Sequence, residues 1–212
     1  MLLSVKTLVL NGAGASGSDT NLVALVESDQ VVVQKMLSGR GASEQFAPVV
    51  LKLLEEAQWA QPLDRIVAVI GPGSFTGLRA SLSLAAGLSV GWECPTFGVT
   101  LGAAIRATLE QENVTCISIA RRGRYFVDAP HGEVFAVQKE NLDLEQYELI
   151  AGDAFSSEEM AAHSERWVNC TSPSALGIIK AAILQEPSVL APLYVDPPEA
   201  KLPAAGLRPS PL

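Results

Sequence analysis

Apolar residues fall along this chain in short strand-like runs for the first forty positions, then alternate between helical and extended spacing. Residues 7–10 are an apolar run ended by the glycine-rich turn Asn11-Gly12-Ala13-Gly14-Ala15-Ser16-Gly17. Residues 21–26 and 31–37 are rich in β-branched residues and leucine and are separated by the polar turn Ser28-Asp29-Gln30, so a β-meander precedes the first helix. Glycines 39 and 41 break the pattern. A helix is predicted from Ser43 to about Gln58, with Glu44 in its first turn and Pro48 close enough to the start to be tolerated. It carries Phe46, Val49, Val50, Leu51, Leu53, Leu54 and Ala57, more apolar positions than one stripe facing one core requires. A second apolar face calls for a second surface to cover it.

The run 65–70 reads as a strand and leads directly into Gly71-Pro72-Gly73-Ser74-Phe75-Thr76-Gly77-Leu78-Arg79, which joins it to a predicted helix over 78–91. Closely spaced glycines allow positive φ or close approach of a neighbouring backbone, and Ser74 or Thr76 is suited to cap the helix. The unpaired N–H groups of such a helix start suit an anion or a tightly packed loop. No Gly-Lys-Ser/Thr follows, so the loop is not a Walker A motif. Within the helix, Ala80, Ser83, Gly87 and Gly91 form a small-residue face, while Leu78, Leu82, Ala85 and Ser89 lie on another. A mid-helix Gly87 costs on the order of 1 kcal/mol relative to alanine, which predicts a neighbouring backbone packed close to it.

Residues 95–99 read as a strand, Thr100 as a helix cap and 101–111 as a helix, with a domain boundary near Glu112-Asn113. Beyond it, 115–119 and 125–127 read as paired strands around Arg121-Arg122-Gly123, and 133–139 as a third alternating run. Residues 140–165 are acidic and weakly patterned, predicting loop with a helix over 157–163. A short strand over 167–169 follows, then a helix capped by Ser174 and stopped by Pro187. From Pro187 onward a proline-rich tail is expected to be extended, with Leu193-Tyr194-Val195 the segment suited to dock.

Composition narrows the function classes. In 212 residues, 48% are hydrophobic and 18% charged, enough to bury a core. A net charge of −8 argues against a broad nucleic-acid-binding surface, so any RNA contact is expected to be local or indirect. No run is long enough to span a bilayer, and the only charge near the start, Lys6, sits inside the apolar run, so a first strand fits better than a secretory signal. Cys94, Cys116 and Cys170 are widely spaced and read as buried reduced thiols of a cytoplasmic protein. His131 and His163 have no metal-ligand spacing, and no serine-hydrolase elbow is present. Arg121, Arg122 and Arg124, together with Arg79, are candidates to meet a phosphate or a partner's carboxylate, against the alternative of solvated turn arginines.

The nine-residue junction, with Ala85-Ala86-Gly87-Leu88, Pro95-Thr96-Phe97-Gly98-Val99, Ala120-Arg121-Arg122-Gly123-Arg124-Tyr125 and Pro192-Leu193-Tyr194-Val195, resembles the TsaB family, also called YeaZ. The resemblance implies an α/β fold of the actin-like, Hsp70-like (ASKHA) type, with two ribonuclease H-like subdomains and mixed sheets. It places an N-terminal subdomain at 1–112, a smaller one at 113–195 and a proline-rich tail at 196–212. It further implies a noncatalytic, cytoplasmic subunit that activates its larger paralogue TsaD in tRNA threonylcarbamoyladenosine synthesis. A TsaE-like ATPase joins that pair and tRNA is met only indirectly.

Departures from the family pattern bear on chemistry. Leu10-Asn11-Gly12-Ala13 stands where an Ile-Asp-Thr-Ser type sequence is usual, Ala120 replaces a common Asp, and Ala42-Ser43 lack a frequent His. Carboxylates at such positions organise Mg²⁺ around phosphates, which amide and methyl groups do not. No cofactor, metal site or catalytic residue is therefore expected. In the family the first two helices of each partner meet in a bundle, so the expected partner interface is Phe46, Val50, Leu53, Leu54, Ala57, Leu78, Leu82, Ala85, Ala86 and Ser89. The expected structural motif is Gly71, Pro72, Gly73, Ser74, Phe75, Thr76, Gly77 and Arg79. The alternatives are a stand-alone nucleotide-binding ATPase or protease-like enzyme of the same fold, and a homodimer using the same helices.

Overall fold

The computed structural model describes residues 4–14, 20–38, 41–60, 62–155, 165–183 and 185–195. The β-meander forms as its β-branched runs and polar turn predict: β1 (Lys6–Asn11), β2 (Asn21–Glu27) and β3 (Gln30–Leu37) pair antiparallel in sequence. β4 (Arg65–Gly71) and β5 (Thr96–Thr100) then add in parallel to the other side of β1, giving the order β3-β2-β1-β4-β5. Leu8, Val9, Leu10 and all of Leu22 to Val26 are buried, so both faces of the sheet centre are covered.

Helices supply that cover. After a single 3₁₀ turn at Ala42–Gln45, α1 (Phe46–Glu56) connects β3 to β4, and α2 (Phe75–Trp92) connects β4 to β5. Both crossovers advance in the same direction across the sheet, so the right-handed rule lays both helices on one face. α1 packs on β2, β3 and α2, and α2 on β1, β4 and β5.

α3 (Leu101–Leu109) follows β5, with the Thr100 hydroxyl accepting from the Ala103 N–H at 3.1 Å. It leads to the second sheet, built from β6 (Val114–Ile119), β7 (Arg124–Asp128), β8 (Phe135–Gln138) and β9 (Leu149–Ala151) in the order β8-β7-β6-β9. β9 lies in the stretch expected to be loop. Three residues are too few to show a period, and its strand character comes from parallel pairing with β6. The expected strand at 167–169 is one parallel bridge from Trp167 to Ile150. The helix expected over 157–163, His163 and the tail at 196–212 lie outside the described residues.

α4 (Ala175–Ala182) comes late in the chain yet packs against α3 and every strand of the first sheet. Its buried Ala175, Ile178, Ile179 and Ala182 share one core with β1, β4, β5, α3 and the inner residues Val114, Cys116 and Ala151 of the second sheet. The two helices thus form the layer between the sheets. Their approach is close because Gly177 lies against Thr108, where a Cβ would overlap the Thr108 hydroxyl. That hydroxyl donates to the Ala104 carbonyl at 2.8 Å and accepts from the Ser174 N–H at 3.0 Å. A smaller cluster of Ile117, Tyr125, Ile150 and Ala154, with Phe155 and Trp167 packed against it, covers the outer face of the second sheet.

A buried ion pair ties α3 to β7. The Asp128 carboxylate accepts from Arg106 Nη2 at 3.0 Å and from the Gly102 N–H at 2.9 Å, while Arg106 Nη1 donates to the carbonyls of Val114 and Asp128. Only 4% of the Asp128 side chain and 15% of Arg106 reach solvent. Removing one charge of such a pair strands the other, so Asp128→Asn is expected to lower unfolding free energy by about 3 kcal/mol in urea titration. Gly177→Val, which drives a side chain into Thr108, is expected to lose about 2 kcal/mol in the same measurement.

Candidate functional site

The junction between β4 and α2 is built by backbone meeting backbone. Gly71 is buried with φ of 127°, and a Cβ on it would stand 3.1 Å from the Leu193 carbonyl oxygen. The following Gly71–Pro72 bond is cis. The Ser74 N–H donates to the Ala13 carbonyl at 2.9 Å, and a Cβ on Gly73 would overlap that same carbonyl. Gly12 and Gly77 face each other so closely that a Cβ on either would overlap the other's carbonyl oxygen. The turn after β1 is therefore seated directly on the first turn of α2.

A loop is packed on this helix start. Ser74 is the cap, its hydroxyl accepting from the Gly77 N–H at 3.3 Å, and its carbonyl accepts from the Leu78 N–H at 2.9 Å. The helix consequently begins at Phe75, three residues before the predicted start. Asn11 is buried inside the facing turn and bonded at both heteroatoms: Nδ2 donates to the Thr20 carbonyl at 2.9 Å, and Oδ1 accepts from the Ala13 N–H at 3.0 Å. The Asn21 side chain accepts from the Gly14 N–H at 3.1 Å. Among the described residues, no three His, Cys, Asp or Glu side chains gather as a metal ion would require. No helix among them is long and apolar enough to cross a membrane.

At the rim of the junction Phe75 and Arg79 lie one turn apart on α2. The Arg79 guanidinium stacks 3.8 Å over the Phe75 ring and donates from Nε to the Tyr194 hydroxyl at 2.7 Å. Tyr194 is carried by a segment that docks as expected: the Leu193 N–H donates to the Ile70 carbonyl at 2.7 Å, and the two aromatic rings lie 5.5 Å apart. The sequence separation of 115 residues between Arg79 and Tyr194 hides this contact from any local pattern. Arg121, from the turn between β6 and β7, brings a second guanidinium to 5.9 Å from Phe75. A cation on an exposed aromatic face contributes about 0.5–1 kcal/mol. Two of the four flagged arginines thus converge, from opposite halves of the chain, on one ring.

The expected interface residues divide into two sets. Phe46, Val50, Leu53, Leu78, Leu82 and Ala85 are at most 3% exposed and belong to the chain's own core, so a partner does not reach them. Their helical spacing points at the sheet, whose apolar surface is large enough to take them all. Leu54, Ala57 and Ser89 are half-buried, and Ala86 is exposed. What the expectation left out is the opposite face: Leu51 is 68% exposed and Val90 80%. Gly87 and Gly91 have nothing within 4 Å of where a Cβ would stand, so the expected close backbone at Gly87 is not supplied by this chain. Along α2 the positions Arg79, Ser83, Ala86, Gly87 and Val90 form one outward stripe, and along α1 Ala47, Leu51 and Glu55 form another. Leu51 was among the surplus apolar positions in the sequence, and only the position of the sheet shows which of them face out.

Comparison with known proteins agrees with this geometry. The family model described as TsaD, tRNA N6-adenosine threonylcarbamoyltransferase, matches residues 30–165. An uncharacterized protein of Mycobacterium tuberculosis is 29% identical over 169 residues, covering 78% of this chain and 80% of its own. The tRNA threonylcarbamoyladenosine biosynthesis protein TsaB of Escherichia coli is 28% identical over 185 residues, covering 82% of this chain and 78% of its own.

Two solved structures from Pseudomonas aeruginosa share the fold. One, described as having similarity to peptidase YeaZ, superposes with a TM-score of 0.68 at 22% identity over 91% of this chain and 100% of its own. The other, YeaZ, gives 0.62 at 21% identity over 84% of this chain and 90% of its own. The mixed sheets with their helical layers are the actin-like α/β fold of these proteins. With more than half of its length matched by the family model, and with TsaB and YeaZ among its relatives, the chain belongs to the TsaD family, in the TsaB/YeaZ group.

Proposed function

We propose that this chain is a noncatalytic scaffold subunit of tRNA threonylcarbamoyladenosine synthesis, binding and activating a TsaD-type partner through the outer face of α1 and α2. The observation that carries the reading is one strongly exposed apolar side chain on each helix, Leu51 on α1 and Val90 on α2, with Gly87 and Gly91 flanking Val90 in sequence and leaving the backbone of α2 open to close approach. Fully burying a leucine or valine contributes about 1.5–3 kcal/mol, and small residues at a helix crossing allow the axes to come near. Membership of the TsaB/YeaZ group supports a place in the modification pathway and a TsaD-type partner. In this reading a TsaE-like ATPase joins the pair, tRNA is reached through the partners, and self-association uses the same face when the partner is absent.

Absence of chemistry from this chain is part of the reading. The Asn11 amide stands where a carboxylate would organise a cation, and each of its heteroatoms is already bonded to the turn around it. At the helix start the Ser74 N–H is already given to the Ala13 carbonyl and the Gly77 N–H to the Ser74 hydroxyl.

Titration calorimetry against the cognate TsaD-type protein tests the interface. Leu51→Glu and Val90→Glu are each expected to weaken binding about 30-fold, the equivalent of about 2 kcal/mol, with thermal unfolding unchanged. Leu82→Glu, at a core position, is expected to unfold the chain instead. A wild-type chain that stays separate from the TsaD-type protein at micromolar concentration overturns the proposal. Threonylcarbamoyl transfer to tRNA by the TsaD-type protein is expected to fall in step with the binding loss.

A further inference from the structure

The outward stripe of α2 ends, at the N-terminal end of the helix, in the cluster of Phe75, Arg79, Arg121 and Tyr194. Phe75 is 38% exposed and Tyr194 43%, and Arg79 and Arg121 are both exposed residues. Among the described residues neither Arg79 nor Arg121 pairs with a carboxylate, although the chain as a whole carries a net charge of −8. Arg79 is also held in a fixed pose. Its plane is stacked on Phe75 and its Nε is committed to Tyr194, so the edge left free is the Nη1–Nη2 fork. That fork presents two N–H donors side by side, the arrangement that receives the two oxygens of one carboxylate.

We propose that Arg79 and Arg121 form a clamp for an acidic side chain of the protein partner, with Tyr194 as the residue that positions Arg79. The inference rests on the partner-subunit reading and adds the chemistry of one anchor point to it. Continuity supports a protein ligand: Arg79 lies on the same helical stripe as Ser83, Ala86, Gly87 and Val90, so a partner seated on that stripe reaches the fork. Two cations on a strongly acidic chain suit one or two carboxylates better than a polyanion, whose many phosphates the rest of the surface repels. Pre-stacking lowers the entropic cost of fixing the long arginine side chain, which is the function assigned to Phe75 and Tyr194.

The test is calorimetric titration of the full chain with the cognate TsaD-type protein at several salt concentrations, together with tRNA binding by the assembled pair. Arg79→Gln is expected to weaken partner binding about 10-fold and Arg121→Gln about 5-fold, and both are expected to flatten the salt dependence. Arg79→Lys is expected to recover only part of the loss, because an ammonium offers no fork. Tyr194→Phe keeps the ring and removes the hydroxyl, and is expected to weaken binding about 3-fold. Arg121→Gln stands on an exposed turn and carries the test if Arg79→Gln lowers thermal stability.

Variants that bind with wild-type affinity and an unchanged salt slope overturn the clamp and leave the scaffold reading standing. Variants that lose tRNA binding at unchanged partner affinity also overturn it, assigning the two arginines to RNA phosphate. A wild-type chain that does not bind the TsaD-type protein at all overturns both.

Discussion

The turn after β1 and the first turn of α2 meet across glycines, and that close seating fixes how α2 sits on the first sheet. Gly12 lies on Gly77 and Gly73 on Ala13, each where a Cβ would overlap the facing backbone, and the Ser74 N–H donates to the Ala13 carbonyl across the contact. A single added methyl at any of these glycines forces the helix away from the sheet. The helix axis is held by main chain rather than by adaptable side chains. Its rim residues Phe75 and Arg79, and its outward stripe, are therefore presented at a defined position. The same contact gives the Ser74 N–H, at the head of the helix, a carbonyl partner from within the chain.

The two faces of α1 and α2 differ sharply in exposure. Their inner faces complete the first core through Phe46, Val50 and Leu53 on one helix and Leu78, Leu82 and Ala85 on the other. Their outer faces keep Leu51 and Val90 in water. A helix that only covers a sheet gains from a polar outer face. α1 partly follows that rule with Lys52, Glu55 and Glu56, whereas the outward stripe of α2 beyond Arg79 is Ser83, Ala86, Gly87 and Val90, with no charge at all.

Much of this architecture was legible in the sequence because its periodicities are long and clean. The meander, both crossover helices and the strands around Arg121 show within a few residues of where the structure has them, and Ser74, Thr100 and Ser174 each cap the helix they precede. β9 was not legible, since a three-residue strand gains its identity from the parallel neighbour β6. Facing was not legible either. The surplus of apolar positions on α1 is a fact of composition, but which of them meet water depends on the tilt of the helix on the sheet. Arg79 and Arg121 were flagged as basic residues near turns. Their meeting over Phe75, and the hydroxyl of Tyr194 that orients one of them, depend on chain segments far apart in sequence.

α4 makes the first core depend on a late part of the chain. Its residues Ala175, Ile178 and Ile179 complete the core under β1, β4 and β5, although the whole second sheet lies between them in sequence. Contacts of such long sequence separation are slow to close. A chain ended before Ala175 lacks one wall of the first core, however complete both sheets are.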